Sequence, residues 1–465
     1  MKLLLVAYDF PPIPSPQALR WAYLARELAL AGHDVEVIAP DLPGYGPGGL
    51  PVLPATVIVH RVDPGKLSRL LMGRQRSIAV EPPAQTAAAA EATPAMPAPQ
   101  FEATPVLNWK GRTRRRVERA IGIVGGLNWK GALAEKVKTL VSDRVFPDYR
   151  VEWVASAVAK LEEVARQRPP DVVVVSHEPA CSLPVGLAAA KRGMVLAVDM
   201  GDPVLAPYTP AKWRKKAFAL ERDVCKAASF VSVTTEAAAQ LLIQRHALAS
   251  ERVAVVRQGF DCAFKVEQEL ALEFDPQRLE LLYTGSFYSF RRAEDILTAV
   301  SAVPGVRLTV ATISAPDYLV KAAEDSPQSI RIIGFMPHRA ALAAQRACDV
   351  LVNLANADPV QVPGKVFEYL GAGKPILHLR GEQQDATGQI LARLGAGWEL
   401  PANAGGPLST LLQQMKELKS AGQLHTHAPA RAAVYEYSWR NLAAAWADQM
   451  QGVLERDGEQ GRAHV

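Results

Sequence analysis

Apolar residues in this 465-residue chain come in short blocks separated by helical-period stretches. Runs such as KLLLVA (2–7), DVVVVS (171–176) and DVLVNLA (349–355) are apolar almost throughout. A strand buried on one face alternates, whereas one buried on both faces reads as a continuous run, the mark of a parallel sheet covered by helices. Between such runs lie amphipathic stretches such as ALRWAYLARELALAG (18–32), which ends at Gly32, a natural helix stop. The first forty residues therefore predict strand, loop, helix, strand: a βαβ unit.

The rhythm breaks near residue 64, resumes at FPDYRVEW (146–153), and continues through DVVVVS, MVLAVDM, FVSVTT and RVAVVRQG. After a polar stretch at 265–278 a second series opens with LELLYTG (279–285) and runs through RLTVATI, IRIIGF, DVLVNLA and PILHL. Two alternating series, each with its own first strand, predict two facing Rossmann-like, doubly wound α/β domains, 1–270 and 271–430. YSWRNLAAAWADQMQGVL predicts a C-terminal helix, 431–455, packing back on the first domain, and 456–465 reads as a frayed tail.

Composition narrows the class. The chain is 49% hydrophobic and 21% charged, and it is too long for one core. No run of about 18 apolar residues predicts a transmembrane helix, and MKLLLVAYDF reads as a first strand rather than a secretion signal. Four widely spaced cysteines form no disulfide or metal-ligand pattern, which points to the reducing cytoplasm. The net charge of +5 is concentrated: residues 66–150 hold fifteen Lys/Arg against seven Asp/Glu, an excess of +8, leaving −3 elsewhere. This segment reads as an insert in the first domain. It contains an Ala/Pro low-complexity tract (81–105) and the pentapeptide LNWKG at 107 and again at 127. Its basic and Trp-bearing part, 107–138, reads either as a solvated helix pair or as a peripheral contact with an anionic membrane surface. No nucleic-acid motif accompanies it, so no nucleic-acid partner is expected.

In doubly wound sheets ligands bind beyond the C-terminal ends of the strands. After LELLY, Gly285 allows close backbone approach, and Arg291 and Arg292 precede a helix, a setting for a diphosphate or simply surface arginines. After DVLVNLA, the stretch VPGKVFEYLGAGKPI (362–376) starts a helix at Pro363-Gly364, with Lys365 in its first turn and Glu368 one turn on. Lysine there can hold phosphate and the carboxylate can accept two ribose hydroxyls; the alternative is an i,i+3 ion pair. In the first domain His177 and Glu178 end one strand, and Asp199 and Asp202 another. The loop DFPPIPSPQ stands where a G-x-G-x-x-G would be, which argues against a dinucleotide-binding dehydrogenase.

Together FPPIPSPQALRWAYLARELALAGHDVEVIAP, HEP (177–179), RVAVVRQGFD, YTGSFYSFRR and VPGKVFEYLGAGKPI resemble, in order, the family 4 glycosyltransferases, two-domain enzymes of GT-B type. The resemblance implies a retaining, metal-independent glycosyltransferase without a cofactor. Its substrates would be a nucleotide-sugar donor and a lipid-linked or polysaccharide acceptor in envelope or exopolysaccharide synthesis. It implies that Lys365 and Arg291 hold the donor diphosphate, that Glu368 binds the ribose, and that His177 contacts the sugar near the reacting carbon. Gly285, Ser286 and Arg292 fall in its phosphate loop. Asp358 lies near its paired-acid motif, whose first acid is Val360 here. Ser15, Arg20, Glu178 and Asp202 fall on the acceptor side. Two other readings are an inactive glycosyltransferase-like scaffold subunit and a sugar-nucleotide epimerase using Glu178, Asp199 and Asp202 as acid/base groups.

Overall fold

The computed structural model describes residues 1–13, 15–42, 49–72, 144–266, 272–288, 291, 293–356, 361–381 and 385–463. The low-complexity tract and both LNWKG segments lie outside the described residues. The described chain divides into two compact units, one running to Val256 and resuming at Ala443, the other spanning Arg257–Leu442.

In the first unit the strands are β1 (Lys2–Val6), β2 (Asp34–Pro40), β3 (Ile58–Val62), β4 (Val172–Ser176), β5 (Leu196–Met200), β6 (Phe230–Val233) and β7 (Val253–Val255). They form a parallel sheet in the order β3-β2-β1-β4-β5-β6-β7. β4 is buried at every position, as its unbroken valine run predicts. Fully burying a valine contributes about 1.5–3 kcal/mol. The helix Pro16–Leu30 starts at Ser15, whose Oγ accepts the Ala18 N–H at 3.0 Å, with Pro16 at the first helical position. Its inner face carries Trp21, which is edge-on to Trp446 with ring centroids 6.0 Å apart. Trp446 belongs to the C-terminal helix Trp439–Ala463, which stays helical through residues that read as a tail.

In the second unit β8 (Leu279–Thr284), β9 (Val306–Ala311), β10 (Ile330–Ile333), β11 (Val350–Leu354), β12 (Ile376–Arg380) and β13 (Gly397–Pro401) are again all parallel, in the order β10-β9-β8-β11-β12-β13. Consecutive residues serve opposite faces: Leu281 and Leu377 pack into one core, Leu282 and Ile376 into the other. The second core includes Val366, Phe367, Tyr369 and Leu370 of the helix Gly364–Ala372. That helix stops at Gly373, whose φ of +69° closes the turn.

The boundary at Val256 precedes the polar 265–278 stretch because the chain from Phe260 is already tied into the second unit. Phe260 N donates to the Tyr437 carbonyl at 3.1 Å, and Trp439 N to the Phe260 carbonyl at 3.0 Å. Both units are Rossmann-like. Strand order reverses between β1 and β4 in one and between β8 and β11 in the other, so the loops after those strands are where ligands bind. Among the described residues no helix is long and apolar enough to cross a membrane.

Candidate functional site

In the first unit the loops after β1, β4 and β5 carry Asp9, His177 with Glu178, and Asp202. Beneath them lies a buried polar lock. Asp199, on β5, accepts from Arg20 Nε at 2.8 Å, Arg20 Nη2 at 2.9 Å, Trp21 Nε1 at 2.9 Å, Ser232 Oγ at 2.6 Å and Gln17 Nε2 at 3.3 Å. Burial opposes ionisation of this carboxyl, but the Arg20 charge and these hydrogen bonds prevail and hold it below the usual carboxylate range. Arg20 also donates to the Val256 carbonyl at 2.9 Å and is fully enclosed. The structure thus turns Arg20, an expected acceptor-side residue, inward, where it holds Asp199 in place.

His177 is 6% exposed, and its main-chain N–H donates to the Asp199 carbonyl at 2.8 Å. Burial pushes its imidazole down to about 4, outweighing the opposing pull of Glu221, Asp202 and Asp199. The ring is therefore neutral near pH 7, and its Nδ1 has no hydrogen-bond partner among the described residues. Glu178 has a left-handed backbone, φ 72°, a conformation that a non-glycine residue holds only when its surroundings impose it. Burial first, then the charges of Asp202, Asp9 and Asp199, push its carboxyl up to about 8. Its Oε2 lies so close to Gly201 that a Cβ there would be 3.0 Å away. Asp202 accepts from Tyr208 Oη at 2.9 Å, and Ser15 is the helix cap already described.

In the second unit the expected donor residues converge on Tyr283, which sequence reasoning missed. Lys365 Nζ lies 3.8 Å from the centroid of the Tyr283 ring and donates to the Thr284 carbonyl at 3.2 Å. Arg291 donates from Nη1 to Tyr283 Oη at 3.2 Å and to the Ser286 carbonyl at 2.8 Å. Its Nη2 donates to Asn356 Oδ1 at 2.7 Å. Tyr283 in turn donates to the Ser286 carbonyl at 2.9 Å, so the loop after β8 is pinned from two sides. Gly285 has φ +132°, and a Cβ on it would come 3.5 Å from Lys365 Nζ. Burial and then the Arg291 charge push the Lys365 amine well below its usual range, with Glu368 opposing. Two cations held this close, with burial working against one of them, create a site that favours an anion.

Glu368 lies one turn on, and its charge favours the protonated Lys365 amine. Gln345 Nε2 approaches its Oε2 at 3.5 Å, a long contact, and His338 Nδ1 lies 3.8 Å from its Oε1. The pair is therefore not the simple i,i+3 bridge that the spacing also allowed. Tyr369 donates its Oη into the same corner, 3.4 Å from the Thr284 carbonyl, and accepts the Thr284 N–H at 3.0 Å. Tyr283 stands on β8 just before Gly285, and a polar atom on a core strand next to a glycine turn was the signal available; Asn356 lies in the loop after β11, with no such signal. Arg292, Asp358 and Val360 lie outside the described residues.

Comparison with known proteins bears on the fold. Residues 134–259 match the family described as "Glycosyl transferase 4-like domain". No curated protein matches the chain in sequence. The Anabaena HepE structure in complex with UDP is similar at 12% identity and TM-score 0.57, covering 97% of this chain and all (100%) of that one. A glycosyltransferase from Rickettsia africae gives 11% and 0.55, covering 97% and 98%. The UDP-GlcNAc 2-epimerase of Neisseria meningitidis, bound to UDP-GlcNAc, gives 13% and 0.54, covering 97% and 100%. At these identities the likeness shows a shared fold, which is that of the GT-B glycosyltransferases. The resemblance to the family 4 glycosyltransferases is supported by the matched domain and by this fold.

Proposed function

We propose that the chain is a glycosyltransferase that moves a sugar from a nucleotide-sugar donor to an acceptor hydroxyl with retention of configuration. The observation that carries this reading is the paired cation site at the second unit's strand-order reversal, where Lys365 and Arg291 flank Gly285. The donor diphosphate takes up the charge that burial and like-charge repulsion leave unsatisfied there. As the sugar–oxygen bond breaks, negative charge grows on the departing diphosphate, and fixed cations stabilise it most where water is excluded. Lys365 and Arg291 thereby supply what a divalent ion supplies in other transferases, so the reading includes no metal. Glu368 receives the ribose hydroxyls. His177 stays neutral, so its ring can accept or donate a hydrogen bond to the sugar without bringing a charge. Glu178, Asp202 and Ser15 belong to the acceptor side, and the basic, Trp-bearing 107–138 supports an acceptor presented at an anionic membrane surface.

Turnover tests the reading. Incubated with UDP-sugars and membrane lipid or glycan acceptors, the wild type is expected to release UDP in an acceptor-dependent manner, and Lys365→Ala to lower the rate about 100- to 1000-fold. A Lys365→Ala protein turning over at the wild-type rate would remove the assigned role.

Two observations favour a second reading, a sugar-nucleotide epimerase: the fold is shared with the Neisseria UDP-GlcNAc 2-epimerase, and burial pushes the Glu178 carboxyl up to about 8. The two part on products. An epimerase converts the sugar nucleotide without an acceptor, whereas a transferase leaves the sugar unaltered and appends it.

A further inference from the structure

In the first unit the loop after β5 and the helix that follows it, Arg214–Ala227, are tied into one block. Glu221, buried on that helix, accepts the Leu205 N–H at 2.9 Å. Arg245 Nη1 donates both to Glu221 Oε1 at 2.6 Å and to the Leu205 carbonyl at 2.9 Å. The next turn is closed by the Thr209 N–H to the Ala206 carbonyl at 3.0 Å and by the Ala206 N–H to Thr209 Oγ1 at 2.9 Å. On this turn Tyr208 is 67% exposed, with its Oη donating to Asp202. A closed turn, not a loose end of chain, keeps this ring in water.

The same stretch has one sign of charge. Residues 207–218, PYTPAKWRKKAF, hold four cations, Lys212, Arg214, Lys215 and Lys216, and no Asp or Glu. All four are exposed, and Arg214, Lys215 and Lys216 make no ion pair among the described residues. Lys212 and Lys216 flank the Trp213 ring at 5.6 and 5.0 Å from its centroid, contacts that leave their charges in place. The helix buries Ala217, Glu221, Val224 and Cys225, so Phe218 shares the outer face with Arg214 and Lys215. Phe218 meets the His246 ring on one side, centroids 5.1 Å apart, and stays 37% exposed. The charge excess ends one turn on, where Arg222 pairs with Asp223 at 2.7 Å.

We propose that residues 207–218 seat the first unit on an anionic lipid bilayer, the cations among the headgroups and Tyr208 and Phe218 at the edge of the acyl region. Neighbouring like charges repel one another until an outside surface supplies the counter-charge, and a negatively charged leaflet does so. Aromatic side chains set among Lys and Arg suit the zone between headgroup and hydrocarbon. Four cations also attract nucleic acid, but no nucleic-acid motif accompanies them. This surface is separate from 107–138. The inference deepens the proposed function, because the Tyr208 bond to Asp202 sets the surface beside the acceptor side; vesicle binding is read without turnover, so failure of one is distinct from failure of the other.

Co-sedimentation of the full chain with vesicles at low salt tests the assignment. The wild type is expected to bind vesicles of phosphatidylcholine mixed with phosphatidylglycerol and to leave pure phosphatidylcholine vesicles unbound. Lys215→Gln combined with Lys216→Gln is expected to weaken binding about tenfold or more and, both residues being exposed, to melt like the wild type. Lys215→Arg combined with Lys216→Arg keeps the charge and is expected to bind as the wild type does. Tyr208→Ala, which keeps every charge, is expected to weaken binding about threefold or more. The proposal is overturned if the wild type ignores the anionic vesicles or binds both kinds equally, if the glutamine variant binds like the wild type, or if the arginine variant loses binding. Tighter binding of a single-stranded RNA than of the vesicles, lost in the same glutamine variant, would also overturn it.

Discussion

Asp199 shows how single residues set the stage for the chemistry. It accepts hydrogen bonds from Gln17, Arg20, Trp21 and Ser232, and its strand leads into the loop that holds Gly201 and Asp202. Replacing it with alanine leaves the Arg20 guanidinium buried without its counter-charge, and such loss costs about 3–5 kcal/mol. Urea unfolding of Asp199→Ala is expected to show a loss of this size, and a loss under about 1 kcal/mol would mean that the lock contributes little. Glu178 gives a pH-dependent test. At pH below the ordinary carboxylate value the group is protonated in folded and unfolded chains alike and contributes nothing. Between that value and about 8 the unfolded chain gives up the proton first, so stability falls as pH rises, and above about 8 the penalty is complete. Glu178→Gln lacks this titration. It is expected to gain on the wild type by on the order of 2 kcal/mol between about pH 5 and about pH 8.5, after allowance for partial exposure. A difference that stays constant across that range would show that Glu178 ionises normally. Residue type and position after a strand were enough to single out His177, Glu178, Lys365 and Glu368. Side-chain direction was not legible: Arg20 lies on the helical face that turns inward, and nothing in its spacing from Ser15 distinguishes a buried guanidinium from one facing a ligand.

At the level of elements, the strands were the most legible part of the chain. β4 announces burial on both faces by its valine run, β8 is buried throughout although Glu280 interrupts its apolar residues, and the loops that follow them end up at the reversals of strand order. The helix Gly364–Ala372 begins where Pro363 and Gly364 predict and buries the four apolar residues read from its sequence. The loop after β8 was legible only in part. Its glycine was a signal for close approach, but the pinning of its backbone by Tyr283 and Arg291 depends on distances between residues eight positions apart, which periodicity does not encode. The conformation of Gly285 is itself a prediction. At φ +132° an alanine is strained, by on the order of 1–3 kcal/mol, and relief requires the loop to move off Lys365. Gly285→Ala is expected to weaken UDP binding about tenfold with little change in melting temperature, since Gly285 is exposed beyond the C-terminal end of β8 rather than packed in the core. Wild-type affinity in this variant would show that the loop's close approach is not needed.

On the scale of the molecule, the same strand order appears in both units: first strand central, two strands to one side, the rest to the other. The repeated βα rhythm made this architecture readable, because right-handed crossovers leave few ways to arrange alternating strands and helices. The exact division was less readable. Contacts place it at Val256, since main-chain bonds from Phe260 commit the chain to the second unit before the polar stretch that marked the boundary in sequence. The return at Ala443 could not be placed from composition, because one continuous helix, Trp439–Ala463, carries the chain across it. Calorimetric titration of UDP into the full chain, wild type and Glu368→Ala, asks whether the second unit holds a nucleoside diphosphate through Lys365, Arg291 and Glu368. The expected result is one saturable site that the variant weakens about tenfold or more. A well-folded wild type that binds none of UDP, GDP or ADP, or a variant that binds as tightly as the wild type, would contradict it.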